Sequence, residues 1–227
     1  MTAVKINPRV TAPVEDYLKV IFALESAAGV AGTNEIAAEL GFAPASVSGM
    51  IRRLAEQGLI THERYHGVRL TKAGRRAALR TIRRHRVIEA YLTTALGYPW
   101  DRVHDEAERL EHAASDELID RMAAAIGEPT TDPHGAPIPT RDGALADPPL
   151  AALDEVAVGE RVTIERVGDR DAEQLRYLAE IGIVPGRVVQ VLSRAPFDGP
   201  IELRVGRSTR SIGPGLAKQI LVSEAAG

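Results

Sequence analysis

The sequence predicts a mainly α-helical protein with a small β domain towards its C-terminal end. Three observations carry this. Apolar residues recur at helical spacing from Val14 to Leu96. Within that region two short helices and a tight turn precede a pair of β-prone runs, the pattern of a winged helix-turn-helix. A proline-punctuated stretch then separates the helices from several short β-prone runs.

Pro13 suits the first turn of a helix, and Val14, Tyr17, Leu18, Ile21, Phe22 and Leu24 give it a buried stripe over 13–28. Gly29 and Gly32 interrupt it. Thr33 reads as the N-cap of a second helix with Ile36, Ala37 and Leu40 inward, stopped by Gly41. Pro44 opens a third helix, apolar at Val47, Met50, Ile51 and Leu54, which Gly58 ends. Residues 59–65 and 68–71 read as strands around a His66-Gly67 turn, which makes the wing. A long helix follows to Leu96, with Leu79, Ile82, Val87, Ile88, Tyr91, Leu92 and Leu96 as its buried face. Further helices are expected over 101–112 and 115–126.

Prolines at 129, 133, 137, 139, 148 and 149 mark a linker or an ordered extended segment. Beyond it, 162–164, 188–192, 201–205 and 219–222 read as strands, and 173–181 as a short helix, which suggests a small SH3-like barrel. The expected organisation is a winged helix-turn-helix over 1–73, a helical domain over 74–140, a proline-rich linker over 141–157 and an SH3-like domain over 158–224.

Composition narrows the chemistry. With 227 residues and 44% apolar content, the chain can bury a real core. No apolar run approaches the ~20 residues that span a bilayer, and MTAVKINPRV lacks the apolar core of a secretory signal, so a cytoplasmic protein is expected. The absence of cysteine removes disulfides, thiolate metal sites and cysteine nucleophiles, so any metal must be held by oxygen and imidazole. The net charge of −3 conceals an asymmetry. Residues 69–86 are basic without one acid, and 101–120 are acidic with only two arginines. The first could meet phosphate and the second a cation, although on charge alone both read as solvated helix faces.

Glu108, Glu111 and His112 stand at i, i+3 and i+4, so a helix brings them to one face, where two carboxylates repel unless a cation or proton lies between them. His104 with Glu108, and His85 with Glu89, repeat the i, i+4 spacing. Each pair alone reads as a solvated face, but four converging ligand types on neighbouring helices favour a metal. His62, His66 and His134 lack acidic neighbours at ligand spacing and read as structural or solvent-facing. No zinc-protease motif, phosphate loop or Gly-x-Ser-x-Gly elbow is present, and an enzyme is not expected.

The segments EDYLKVIFALE (15–25), PASVSGMIRRLAEQGLI (44–60), LTKAGRRAAL (70–79), RHRVIEAYL (84–92), VHDEAERLEHAASDEL (103–118), DPHGAPIP (132–139) and LAEIGIVPG (178–186) together resemble the diphtheria-toxin-repressor family of iron- and manganese-responsive repressors, in the long form with a C-terminal SH3-like (FeoA-type) domain. The resemblance implies a homodimer that binds palindromic double-stranded operator DNA when loaded with metal and controls genes of metal uptake and homeostasis. It implies a primary metal site at Asp16, Glu108, Glu111 and His112, and an ancillary site at His85, Glu89, His104, Asp171 and Gln174. DNA-facing positions fall on Ala43, Pro44, Ala45, Ser46, Ser48 and Gly49, with Arg52, Arg53 and Arg64 as phosphate contacts. The iron-sensing branch carries methionine and cysteine where this chain has Asp16 and Glu108. Hard carboxylates suit Mn(II), so Mn(II) is the expected activator, with Fe(II) the alternative and Co(II) or Zn(II) as substitutes in vitro. The short manganese repressors have glutamate where Lys19 stands, so their binuclear site is not expected. A metal-dependent hydrolase and a metal-blind winged-helix regulator are the remaining readings.

Overall fold

A computed structural model describes residues 11–63 and 67–225. The chain divides into two compact units, Met1–Arg83 with Pro139–Ala144, and Arg84–Ile138 with Leu145–Gly227.

In the first unit, α1 (Ala12–Ala28) buries Val14, Tyr17, Leu18, Ile21 and Phe22 and ends at Gly29, whose φ of 78° suits a left-handed cap. Helix α2 (Thr33–Leu40) buries Ile36 and Ala37. Its N-cap is Gly32 rather than Thr33, because the Glu35 carboxylate accepts from the Gly32 N–H at 3.0 Å. Helix α3 (Pro44–Glu56) buries Val47, Ile51 and Leu54. The wing pairs β1 (Ile60–Glu63) with β2 (Gly67–Leu70) antiparallel, Ile60 facing Leu70. Helix α4 (Lys72–Leu96) follows, and the division between units falls within it.

The second unit contains two hydrophobic clusters. One joins Val87, Ile88 and Leu92 of α4 to Val103 and Ala107 of α5 (Val103–Leu110) and to Ile119 and Ala123 of α6 (Asp116–Ala125). Leu96, expected inside, is 58% exposed because the last turn of α4 runs past this cluster. The Ser115 hydroxyl caps α6 by accepting from Leu118 N at 3.2 Å.

The other cluster fills a six-stranded antiparallel sheet in the order β3-β8-β4-β5-β6-β7. Its strands are β3 (Ala151–Ala152), β4 (Arg161–Val167), β5 (Val188–Arg194), β6 (Ile201–Val205), β7 (Ser208–Ile212) and β8 (Ile220–Glu224). Helices α7 (Ala172–Ile181) and α8 (Pro214–Ala217) complete it. Register shifts in β4 and β5 supply the bends a small curved sheet needs. Strand β7, polar and without apolar alternation, was not among the expected strands; pairing with β6 makes it a strand. Among the described residues no helix is long and apolar enough to cross a membrane.

Candidate metal centre and nucleic-acid interface

Helix α4 places His85 and Glu89 one turn apart on its inner face, and both are buried. Helix α5 carries His104 and Glu108 against them and stops at Leu110, so Glu111 is its C-cap, still in helical conformation, and His112 follows in a turn. Glu111 is wholly buried. A carboxylate without solvent must find donors or cations within the protein. His85 supplies them: Nδ1 lies 2.6 Å from Glu111 Oε2 and Nε2 lies 3.1 Å from Glu89 Oε1. The same Nε2 is 3.2 Å from His104 Nδ1, and Glu108 lies 3.5 Å from His85 Nδ1. Glu108 and Glu111 of the expected primary set and His85, Glu89 and His104 of the expected ancillary set therefore form one network through His85. His85, His104 and Glu108 each offer a ligand atom within 4.8 Å of the others.

A further group was missed at the sequence level. Asp132 folds the proline-rich segment back on itself, its Oδ1 accepting from His134 N and Ala136 N, both at 2.9 Å. Gly135, at φ +90°, brings this loop onto β4, where an added Cβ would stand 1.8 Å from the Glu165 carbonyl oxygen. The loop buries His134 completely, against Glu89, so it does not face solvent. His134 Nε2 lies 2.8 Å from the Trp100 carbonyl oxygen. A carbonyl only accepts, so Nε2 carries the proton, and in the neutral ring Nδ1 presents a lone pair. Glu89, His134 and Asp169 offer ligand atoms within 4.8 Å of one another. His134 Nδ1, Glu89 Oε2 and Asp132 Oδ2 are buried without a hydrogen-bond partner. Buried acceptors lacking donors are the condition a cation satisfies, so these residues fit a hard divalent metal.

The electrostatics agree. Burial opposes the Glu89 charge, yet hydrogen bonds with His104 and His85 outweigh it and hold this carboxyl well below the usual range. The Glu89 hydrogen bond raises His104, against its burial. Burial, and then the Glu89 charge, push Asp132 up to about 6, while Arg86 Nε stands 3.6 Å from its Oδ2.

Asp171 and Gln174 are not brought into the cluster. Asp171 is the N-cap of α7: its Oδ1 accepts from Glu173 N and Gln174 N, and its Oδ2 from Gln174 Nε2 at 3.0 Å. Both oxygens serve the helix end, and the barrel residue facing His104, at 3.8 Å, is Asp169. Asp16 lies half-buried on α1 in the first unit, and exposed His62 lies on β1.

Ala43, the N-cap of α3, and Pro44, Ala45, Ser46, Ser48 and Gly49 in its first turns are exposed, as are Arg52 and Arg53. Arg64 and His66 lie outside the described residues. Phe42, which the sequence reading passed over, is 54% exposed just before α3 and stacks on Tyr17 at 6.3 Å.

The fold and this centre define a metal-binding winged-helix regulator, and comparison with known proteins agrees. Residues 9–68 match the iron dependent repressor N-terminal DNA binding domain, 71–140 its metal binding and dimerisation domain, and 151–224 the FeoA domain. The chain is 32% identical over 190 residues to the iron-dependent repressor IdeR of Mycobacterium leprae, covering 78% of this chain and 82% of that protein. It is 30% identical over 199 residues to the diphtheria toxin repressor of Corynebacterium diphtheriae, covering 83% and 87%. A solved manganese-dependent transcriptional repressor in complex with manganese superposes with a TM-score of 0.86 at 42% identity, covering 93% of this chain and 99% of that one. The chain belongs to the diphtheria toxin repressor/IdeR family of metal-dependent transcriptional repressors, which are not enzymes.

Proposed function

We propose that this repressor is activated by Mn(II) and, as a cytoplasmic homodimer, binds palindromic operator DNA upstream of genes for metal uptake and homeostasis. The observation that carries the manganese reading is the ligand chemistry: buried oxygen and imidazole atoms, three of them without a hydrogen-bond partner, and no sulfur from cysteine anywhere in the chain. Hard oxygen donors suit Mn(II), whereas thiolate and thioether ligands favour softer ions. The solved neighbour named for manganese supports the same reading.

Two ligand sets are proposed. Glu108, Glu111 and His112 form one, with Asp16 added on the family resemblance alone. Glu89, His104, His134 and Asp169 form the other, beside His85 and Asp132. A divalent ion supplies the positive charge that lets these carboxylates stay ionised together. The remaining work falls to the chain. His134 is held by the Trp100 carbonyl with its lone pair inward. The Asp132 turn and Gly135 fix the loop that carries it. Asp169 brings the FeoA domain into the set. Once Asp16 is fixed, α1 and the helices beyond it present α3 to the major groove, and dimer symmetry sets two such helices about 34–36 Å apart. Exposed Leu96, Tyr98, Leu110 and Leu118 supply apolar surface suited to a dimer contact.

The small exposed side chains of α3 suit thymine methyl groups and phosphates, and Arg52 and Arg53 suit phosphates. Reciprocity requires DNA to tighten metal binding by the factor by which metal tightens DNA binding, a coupling of ~1–3 kcal/mol.

Fe(II) is the second reading, favoured by the iron-dependent relatives. An operator-binding titration with chelator, Mn(II), anaerobic Fe(II), Co(II) and Zn(II) separates the readings. Mn(II) should activate at the lowest free concentration, and Glu108→Ala should abolish the activation while leaving the circular dichroism unchanged. Activation by Fe(II) alone, or Mn(II)-activated binding by that variant, contradicts the proposal.

A further inference from the structure

We propose that Glu25 is a positioning residue that ties helix α1 to the wing, so that whatever fixes α1 also fixes the wing for DNA. The inference deepens the function proposed above and rests on its assignment of Asp16 as a metal ligand.

Glu25 occupies the last turn of α1, and its side chain is 15% exposed. Its Oε2 accepts from Leu70 N at 3.0 Å, at the end of β2. Its Oε1 lies 3.7 Å from the Arg75 guanidinium in the first turns of α4. Arg75 also lies over the Phe22 ring, 5.0 Å from its centroid, three residues before Glu25 on α1. One carboxylate thus joins the helix, the wing and the start of the next helix.

The position of Leu70 makes this contact consequential. In a strand, alternate amides point to the same edge. Val68 and Leu70 therefore direct their N–H groups together, away from β1. Val68 is answered by the backbone just past α1: its N–H donates to the Ala31 carbonyl at 2.8 Å, and Ala31 N donates back at 3.0 Å. Among the described residues Leu70 N has no such backbone partner there, and the Glu25 carboxylate occupies that place in the ladder. Close packing continues to Gly67, at φ +83°, where an added Cβ would stand 2.5 Å from Val30 Cγ2 and 2.9 Å from the Ala31 oxygen. The second strand of the wing is thus bonded to α1 and its exit at Val68 and Leu70 and pressed against them at Gly67.

Asp16 lies on the same 17-residue helix. Nine residues of α-helix place it about 13 Å from Glu25 along the axis and roughly half a turn around it. Constraint of Asp16 on one face is carried by the rigid helix to the wing on the other. The charged acceptor strengthens the link, because a hydrogen bond to an ionised group contributes more than a neutral one.

The test uses the full-length wild-type protein, Glu25→Ala, Glu25→Gln and Arg75→Gln, with a duplex selected by the wild type from a random-sequence library in Mn(II). Three quantities are read: amide hydrogen exchange at Val68 and Leu70, Mn(II) affinity without DNA, and the factor by which Mn(II) tightens duplex binding. For Glu25→Ala the expected result is at least tenfold faster exchange at Leu70, Mn(II) affinity within twofold of wild type, and an activation factor reduced about tenfold. Glu25→Gln, which keeps an acceptor, should recover most of that factor, and Arg75→Gln should lie between. An activation factor in Glu25→Ala equal to wild type, with Leu70 exchange accelerated, overturns the proposal. So does loss of DNA-free Mn(II) affinity in step with activation, which would make Glu25 a support of the metal site. If Glu25→Ala does not fold, equal activation factors in Glu25→Gln, Arg75→Gln and wild type overturn it. A wild type whose duplex binding ignores Mn(II) removes the repressor reading itself, and this inference with it.

Discussion

His85 bridges two buried carboxylates, with Nδ1 2.6 Å from Glu111 and Nε2 3.1 Å from Glu89. An imidazole and a carboxylate this close share a proton, whichever of them carries it. A divalent ion held among these side chains takes the place of such a proton, so metal uptake should release protons. Mn(II) titration in lightly buffered solution should acidify the medium for wild type and less for His85→Gln. Equal release by both would place the protons elsewhere.

The chain has a single tryptophan, and Trp100 stacks on His134 with centroids 5.6 Å apart. Paramagnetic Mn(II) held by Glu89, His134 and Asp169 should quench its fluorescence. Glu89→Gln and Asp169→Asn should each shift that quench to at least tenfold higher Mn(II). Quenching at wild-type concentrations in both variants would show that the ion binds elsewhere.

Stability of the metal-free chain should vary with pH in opposite senses at two groups. Glu89 is lowered, so its contribution is present above the ordinary carboxylate pKa of ~4.3 and is lost as pH falls through the lower folded value. His104 is raised, so its contribution is present below ~6.5 and is lost as pH rises through the higher folded value. His104→Gln should therefore lower Tm more at pH 5.5 than at pH 8.5. Asp132, raised to about 6 by burial, contributes below ~3.9 and loses that contribution as pH rises through 6. Asp132→Asn should accordingly gain in Tm relative to wild type between pH 5 and 8 in the presence of chelator. A pH-independent Tm difference in either variant would contradict these assignments.

Arg52 and Arg53 are exposed near the end of α3. Replacing either with alanine should weaken binding to all duplexes alike and reduce the slope of log K against log salt by about one. Loss confined to one base position, with an unchanged slope, would assign the residue to base readout instead.

Much of this architecture could be read from the chain. Periodicity located α1 to α4 because each has one buried stripe, and Gly29, Gly41 and Gly58 mark where that stripe stops. His85, Glu89, His104 and Glu111 were legible because helical spacing brings ligand types to one face. His134 and Asp169 were not, since they reach Glu89 only through a folded proline-rich loop and a separate sheet. The pattern Asp132-Pro133-His134-Gly135 was the available signal: a turn-forming Asp beside a histidine, inside a stretch that reads as a linker or an ordered extended segment. Asp171 was assigned on the resemblance; Asp171-x-x-Gln174 is also the spacing of a helix cap, and both of its oxygens accept hydrogen bonds there. Strand β7 left no alternation to detect, because its pairing with β6, rather than apolar burial, makes it a strand.

Crystals grown with Mn(II), and an anomalous difference map recorded near the manganese edge, test the central claim most directly. Peaks bounded by Glu89, His134 and Asp169, and by Glu108, Glu111 and His112, are the expected result. Manganese bound elsewhere, with both groups of side chains lacking a peak, would contradict it.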